Sequence, residues 1–83
     1  MICKLQQLLN EFDGIMREFE SKEFRVYDLT KLYGVCCKLE YQAKKLITQE
    51  NIEDMEIVYK IQALEQNILN TVTRKLREAE VNE

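Results

Sequence analysis

The sequence contains no proline, no histidine and no tryptophan, and only two glycines in 83 residues. A chain so poor in residues that break or bend helices is expected to be helical throughout. Without histidine it lacks the side chain most used for proton transfer near neutral pH and the commonest nitrogen ligand for metals. No run approaches the roughly 18–20 consecutive apolar residues that span a bilayer, so no membrane segment is expected. The first residues, Met1-Ile2-Cys3-Lys4-Leu5-Gln6-Gln7, lack a basic region followed by an apolar one, and no secretory leader is expected. Phosphate-binding loops, dinucleotide fingerprints and nucleophile elbows are missing. The acidic group Glu50, Glu53, Asp54 and Glu56 does not have the spacing of a calcium loop and reads as a solvated helix start. A net charge of -3 supplies no basic excess of the kind that phosphate neutralisation requires.

What is present suits one small folded unit. Apolar residues make up 46% and charged residues 33% of the chain, a balance of globular or coiled-coil proteins rather than disordered ones. At 9.9 kDa, residues 1–83 form a single domain near the small end of what folds alone. The three cysteines are an odd number. Cys36 and Cys37 are neighbours, with Cα atoms about 3.8 Å apart, too close for a relaxed disulfide. They read as reduced thiols of a cytoplasmic protein (host cytoplasm if the source is viral), in preference to a soft-metal site. No metal and no cofactor is expected.

Three segments carry helical periodicity. In the first, about residues 2–20, Ile2, Leu5, Leu8, Leu9, Phe12, Ile15, Met16 and Phe19 recur at spacings of three and four. The stripe is wide enough to meet two neighbours, and Gly14 falls opposite it. The pattern lapses over Ser21 to Tyr27, where Phe24, Val26 and Tyr27 would cover the end of a bundle. The second segment, about 28–48, opens on Asp28 as an N-cap and carries Leu29, Leu32, Cys36, Leu39, Ala43 and Leu46 on a heptad seam, broadened by Tyr33, Val35 and Ile47. Gly34, Cys37 and Tyr41 give this helix a second apolar or small face, which another helix or another chain would cover. The register breaks over Thr48 to Asp54, where Asn51 is a candidate N-cap. The third segment, about 52–80, places Ile57, Val58, Ile61, Leu64, Ile68, Leu69, Val72, Leu76 and Ala79 on one broad face, and Val81-Asn82-Glu83 is expected to fray. With no glycine or proline after Gly34, fusion of the second and third segments into one long helix is the alternative. The expected fold is all-α: a small three-helix antiparallel bundle whose third helix is longest and outruns the others, and which is oligomeric.

Glu65 is the outlier, because it falls inside the apolar face of the third helix. A buried carboxylate needs a partner, and a Lys, an Arg or a Tyr hydroxyl at a helix–helix edge is the expected one. A polar residue setting register at an oligomer interface is the second reading. A catalytic carboxylate ranks third, since no second catalytic group is evident in the sequence beside it.

These features point to a helical protein–protein interaction module that self-associates or binds a protein partner through a helical face: an adaptor, a co-chaperone, or an inhibitor of the phage or plasmid type. The interface candidates are Tyr33, Gly34, Cys37, Tyr41, Glu65, Leu69 and Leu76. An alternative is a dimeric nucleic-acid-associated regulator that gathers Arg74, Lys75 and Arg77 from two chains, although nucleic acid is not the expected partner. A small all-helical enzyme built on Glu65 is the third, and catalysis is not expected.

Overall fold

The 3–4 spacing of the apolar residues produces three helices in the computed structural model, which describes residues 4–81. They are α1, Lys4–Ser21; α2, Val26–Gln49; and α3, Glu56–Val81, with no strand among the described residues. Ile2, Cys3, Asn82 and Glu83, named above in the first stripe, the thiol count and the fraying terminus, lie outside those residues. No described helix is long and apolar enough to cross a membrane.

The helix ends depart from the expected caps. α2 begins at Val26 rather than Asp28: Arg25 occupies the cap position with an extended backbone and no side-chain hydrogen bond, and the Leu29 N–H donates to the Arg25 carbonyl at 3.0 Å. Asp28 therefore lies inside the first turn, where its charge meets the positive end of the helix dipole. Asn51 does not cap α3; it ends α2. Its φ of 54° is left-handed, a conformation that asparagine tolerates better than most residues. The turn lets the Ile52 N–H donate to the Ile47 carbonyl at 2.9 Å and the Asn51 N–H to that of Thr48 at 3.4 Å, which satisfies carbonyls that a helix end leaves open. Ile47 and Ile52 both pack on the core across this turn. Capping of α3 falls to Asp54, whose Oδ1 accepts from the Glu56 N–H at 2.9 Å.

The helices run up, down and up. Leu8 of α1 lies beside Leu46 near the end of α2, and Phe19 lies beside Leu29 near its start, so α1 and α2 are antiparallel. Leu5 and Leu9 meet Ile57, while Phe19 reaches Thr71 and Lys75, so α1 and α3 are parallel. At about 1.5 Å per residue, the 24 residues of α2 and the 26 of α3 span about 36 and 39 Å. α3 is the longest helix, yet it exceeds α2 by less than the sequence reading expects.

The core is built mainly by α2 and α3. All six seam residues of α2, from Leu29 to Leu46, are buried, together with Ile47. α3 adds Ile57, Val58, Ile61, Leu64 and Ile68, and α1 adds only Leu8 and Phe12. The rest of the α1 stripe, Leu5, Leu9, Ile15, Met16 and Phe19, is half-buried against this core, as is Phe24 at the bundle end. Gly14 faces open space, with nothing within 4 Å of where a Cβ would stand.

Candidate functional site

On a helix, side chains separated by seven residues form a line along one face. Tyr33, Glu40 and Ile47 form such a line on α2, and Val58, Glu65 and Val72 form one on α3. Each line is apolar or aromatic except for one acid at its middle. The two lines run along the outer side of the α2–α3 seam, because α1 occupies the other side. On α2, α1 lies against Gln42, Leu46 and Gln49; on α3, against Ile57 and Lys60.

The antiparallel hairpin brings the two acids together. Glu65 is half-buried, and its Oε1 is fully enclosed with no donor directed at it. Glu40, also half-buried, is its neighbour across the seam, held against Gln62 one turn before Glu65 on α3. Lys44 Nζ lies 2.7 Å from Glu40 Oε2, and Gln62 Nε2 donates to the same oxygen at 3.5 Å. The available cation is thus held by Glu40 rather than Glu65. This corrects the expectation that Glu65 would reach a Lys, an Arg or a Tyr hydroxyl. Two neighbouring carboxylates repel each other when both are ionised, so each disfavours the charged form of the other. Burial, then Glu40, pushes the Glu65 carboxyl up to about 7. Glu65, then Lys44, holds Glu40 below the ordinary carboxylate range. Of the two, Glu65 takes up a proton more readily and Glu40 keeps its charge more readily.

Tyr33 and Cys37 flank the pair, one turn apart on α2. Cys36 is fully buried and its thiol is pushed up to about 11, by burial first and then by Glu65. The Cys37 thiol is raised by the same two causes, and the Tyr33 hydroxyl is raised chiefly by Cys37. These groups stay neutral near pH 7, so Cys37, although exposed, lacks the lowered pKa of a reactive thiol. Among the described residues, no three Cys, Asp or Glu side chains cluster as a metal site requires.

The other interface candidates separate into two groups. Leu69 and Leu76 are 41% and 50% exposed and continue the α3 side of the outer seam beyond Glu65, with Val72 half-buried beside them. Tyr33 and Glu65 belong to the same surface. Gly34 and Tyr41 do not: they point away from the seam, exposed to solvent along with Val35. Among the described residues nothing covers the second face of α2, and nothing lies within 4 Å of a Cβ placed on Gly34.

Glu40 is the candidate that the residue pattern alone does not single out. The available signal was its place between Tyr33 and Ile47, both of which broaden the α2 stripe. Arg74 and Lys75 join Lys22 in a groove with Phe19 and Phe24, but Glu23 lines it too, Glu18 lies 3.4 Å from Lys22 and Glu78 lies 3.9 Å from Arg74. The positive charge there is largely answered within the chain. Comparison of the chain with protein-family models, with curated proteins and with solved structures gives no match.

Proposed function

We propose that this chain is a helical protein–protein interaction module that self-associates through the outer side of the α2–α3 seam. The observation that carries this reading is the row of Leu69, Val72 and Leu76, left exposed or half-exposed at 3–4 spacing beside Tyr33. Such spacing is what a helix presents to another helix. The shape of the chain supports it. A radius of gyration of 14.9 Å compares with about 11.8 Å for a compact domain of this length. The accessible surface is 6372 Å², against about 5,200 Å² for a folded monomer of this mass. The excess exceeds the roughly 800 Å² that each partner buries in a standard interface. Adaptor, co-chaperone and inhibitor roles all rest on a surface of this kind.

Sedimentation equilibrium tests the reading. The chain should associate in the micromolar range, and Leu69→Glu combined with Leu76→Glu should yield a folded monomer. A wild-type chain that remains monomeric at several hundred micromolar defeats self-association and leaves binding to a different protein as the use of the surface.

A further inference from the structure

We propose that α1 is an exchangeable arm: the connection over residues 22–25 straightens, α1 and α2 become one continuous helix, and α1 seats on the α2–α3 hairpin of a second copy, which returns its own α1 in exchange. The surface involved is the seat that α1 already fills, away from the outer side of the seam. The inference therefore stands apart from the self-association reading above.

The two connections between helices are built differently. The turn from α2 to α3 is fixed by its residues: Asn51 is left-handed at φ 54°, and Asp54 Oδ1 accepts from the Glu56 N–H at 2.9 Å. The connection from α1 to α2 has neither device. Residues 22–25 read Lys-Glu-Phe-Arg, with no glycine, no proline and no left-handed residue, and Arg25 caps α2 without a side-chain hydrogen bond. Nothing in this composition opposes a helix. Lys22 already stands 3.4 Å from Glu18, four residues earlier, a pairing that a helix running on through Lys22 would keep. Leu8, Ile15, Lys22, Leu29, Cys36 and Ala43 recur at intervals of seven, so a buried line of α2 continues one of α1 in phase, with Lys22 as its single charged member. The bend is held by Phe24, which packs on the core beside Phe19 and Leu29.

The seat of α1 suits exchange. Among the described residues no hydrogen bond or ion pair joins α1 to α2 or α3. Apolar contact alone holds it, through Leu8, Phe12 and the half-buried side chains around them. The same geometry gives the exchange its symmetry. Midway in sequence between Phe19 and its neighbour Leu29 stands Phe24, and midway between Leu8 and its neighbour Leu46 stands Tyr27. Two straightened helices laid antiparallel about a two-fold axis at this stretch bring Leu8 to Leu46 and Phe19 to Leu29 again, now between chains. A second copy fits because it carries α1 itself, whose match to the seat is already visible. The chain's own α1 competes at an effective concentration of about 1 mM, as over any short link, so the closed monomer prevails in the micromolar range and exchange sets in near the millimolar range.

Val26→Pro separates the two forms. Val26 is the first residue of α2, where proline costs the closed chain no helical bond, and Arg25 at φ -77° and ψ 161° already has the extended backbone that a following proline favours. In a continuous helix the same proline removes a hydrogen bond and clashes with the preceding turn. The experiment is refolding of the full chain from urea at about 1 mM and at about 10 μM, with Leu69→Glu and Leu76→Glu in place to close the outer seam. A dimer fraction should appear by sedimentation after the concentrated refolding only, and Val26→Pro should reduce it at least tenfold. In dimers of mixed isotope-labelled and unlabelled copies, nuclear Overhauser contacts of Leu8 with Leu46 and of Phe19 with Leu29 should run between chains. A monomer at both concentrations overturns the inference. So does a dimer whose Leu8–Leu46 contacts stay within each chain, and so does a dimer fraction that a folded Val26→Pro chain keeps. Should circular dichroism show Val26→Pro unfolded, Arg25→Gly, which disfavours a continuous helix without fixing φ, takes its place with the same direction of change. Failure of the outer-seam reading shows separately, as a wild-type chain no more associated than the Leu69→Glu, Leu76→Glu variant.

Discussion

α1 and the α2–α3 hairpin have similar apolar periodicity but different seats in the molecule. α2 and α3 bury a continuous seam from Leu29 to Ile47 and from Ile57 to Ile68, whereas α1 buries Leu8 and Phe12 and leaves five further apolar side chains half-exposed. Burial of a large aliphatic side chain contributes roughly 1.5–3 kcal/mol, so the hairpin holds most of the stabilisation and α1 adds a smaller share. An amphipathic stripe thus states which face a helix will bury, not how completely. Completeness depends on whether neighbours enclose that face from both sides. α2 and α3 enclose each other with α1 on one side of their seam, while α1 lies on the hairpin with nothing beyond it among the described residues.

The largest expected effect lies in the hairpin. Leu64→Ala removes a fully buried side chain and should cost about 2–5 kcal/mol in urea unfolding. Met16→Ala, at a half-buried position on α1, should cost about 1 kcal/mol or less. Equal losses would erase the contrast between the two regions. Native-state hydrogen exchange sharpens it: amides of α1 should exchange through local opening while those around Ile61 and Leu64 exchange only on global unfolding.

The carboxyl pair gives the hairpin a pH dependence. Glu65 is raised from the ordinary 4.5 to about 7 in the folded chain. Between those values the folded state binds more protons than the unfolded state, so the contribution of Glu65 falls as pH rises from about 4.5 to about 7 and is constant beyond. Glu40, lowered in the folded state, works in the opposite direction: its contribution is present above the ordinary carboxylate range and is lost as pH falls through its depressed value. Glu65→Gln should therefore raise stability at pH 8 by about 1–2 kcal/mol, allowing for solvent screening of a half-buried group, and change little near pH 4.5. A gain that is the same at both pH values would assign the effect to packing. The smallest effect is expected in the turn. Asn51→Ala forces a β-carbon without a helping polar group into the left-handed region and should cost about 1 kcal/mol by chemical denaturation, while Asn51→Gly should be neutral or slightly stabilising.

Much of this architecture was legible in residue order. The seam from Leu29 to Leu46 is visible as a 3–4 repeat because helical geometry converts spacing into direction with no reference to the rest of the chain. The isolated Glu65 was equally visible, since a single charge inside an apolar stripe is conspicuous whatever surrounds it. The caps were less legible: Asn51 and Asp54 both favour helix ends, and which serves α2 and which serves α3 depends on where Ile52 can pack. The partner of Glu65 was decided by tertiary structure alone. Pairing across an antiparallel hairpin depends on the length of the turn and the relative rotation of two helices, neither of which is encoded in the local periodicity of either one. That rotation set Glu40, rather than a cation, beside Glu65, and the seating of α1 on the other side of the hairpin left Leu69 and Leu76 uncovered.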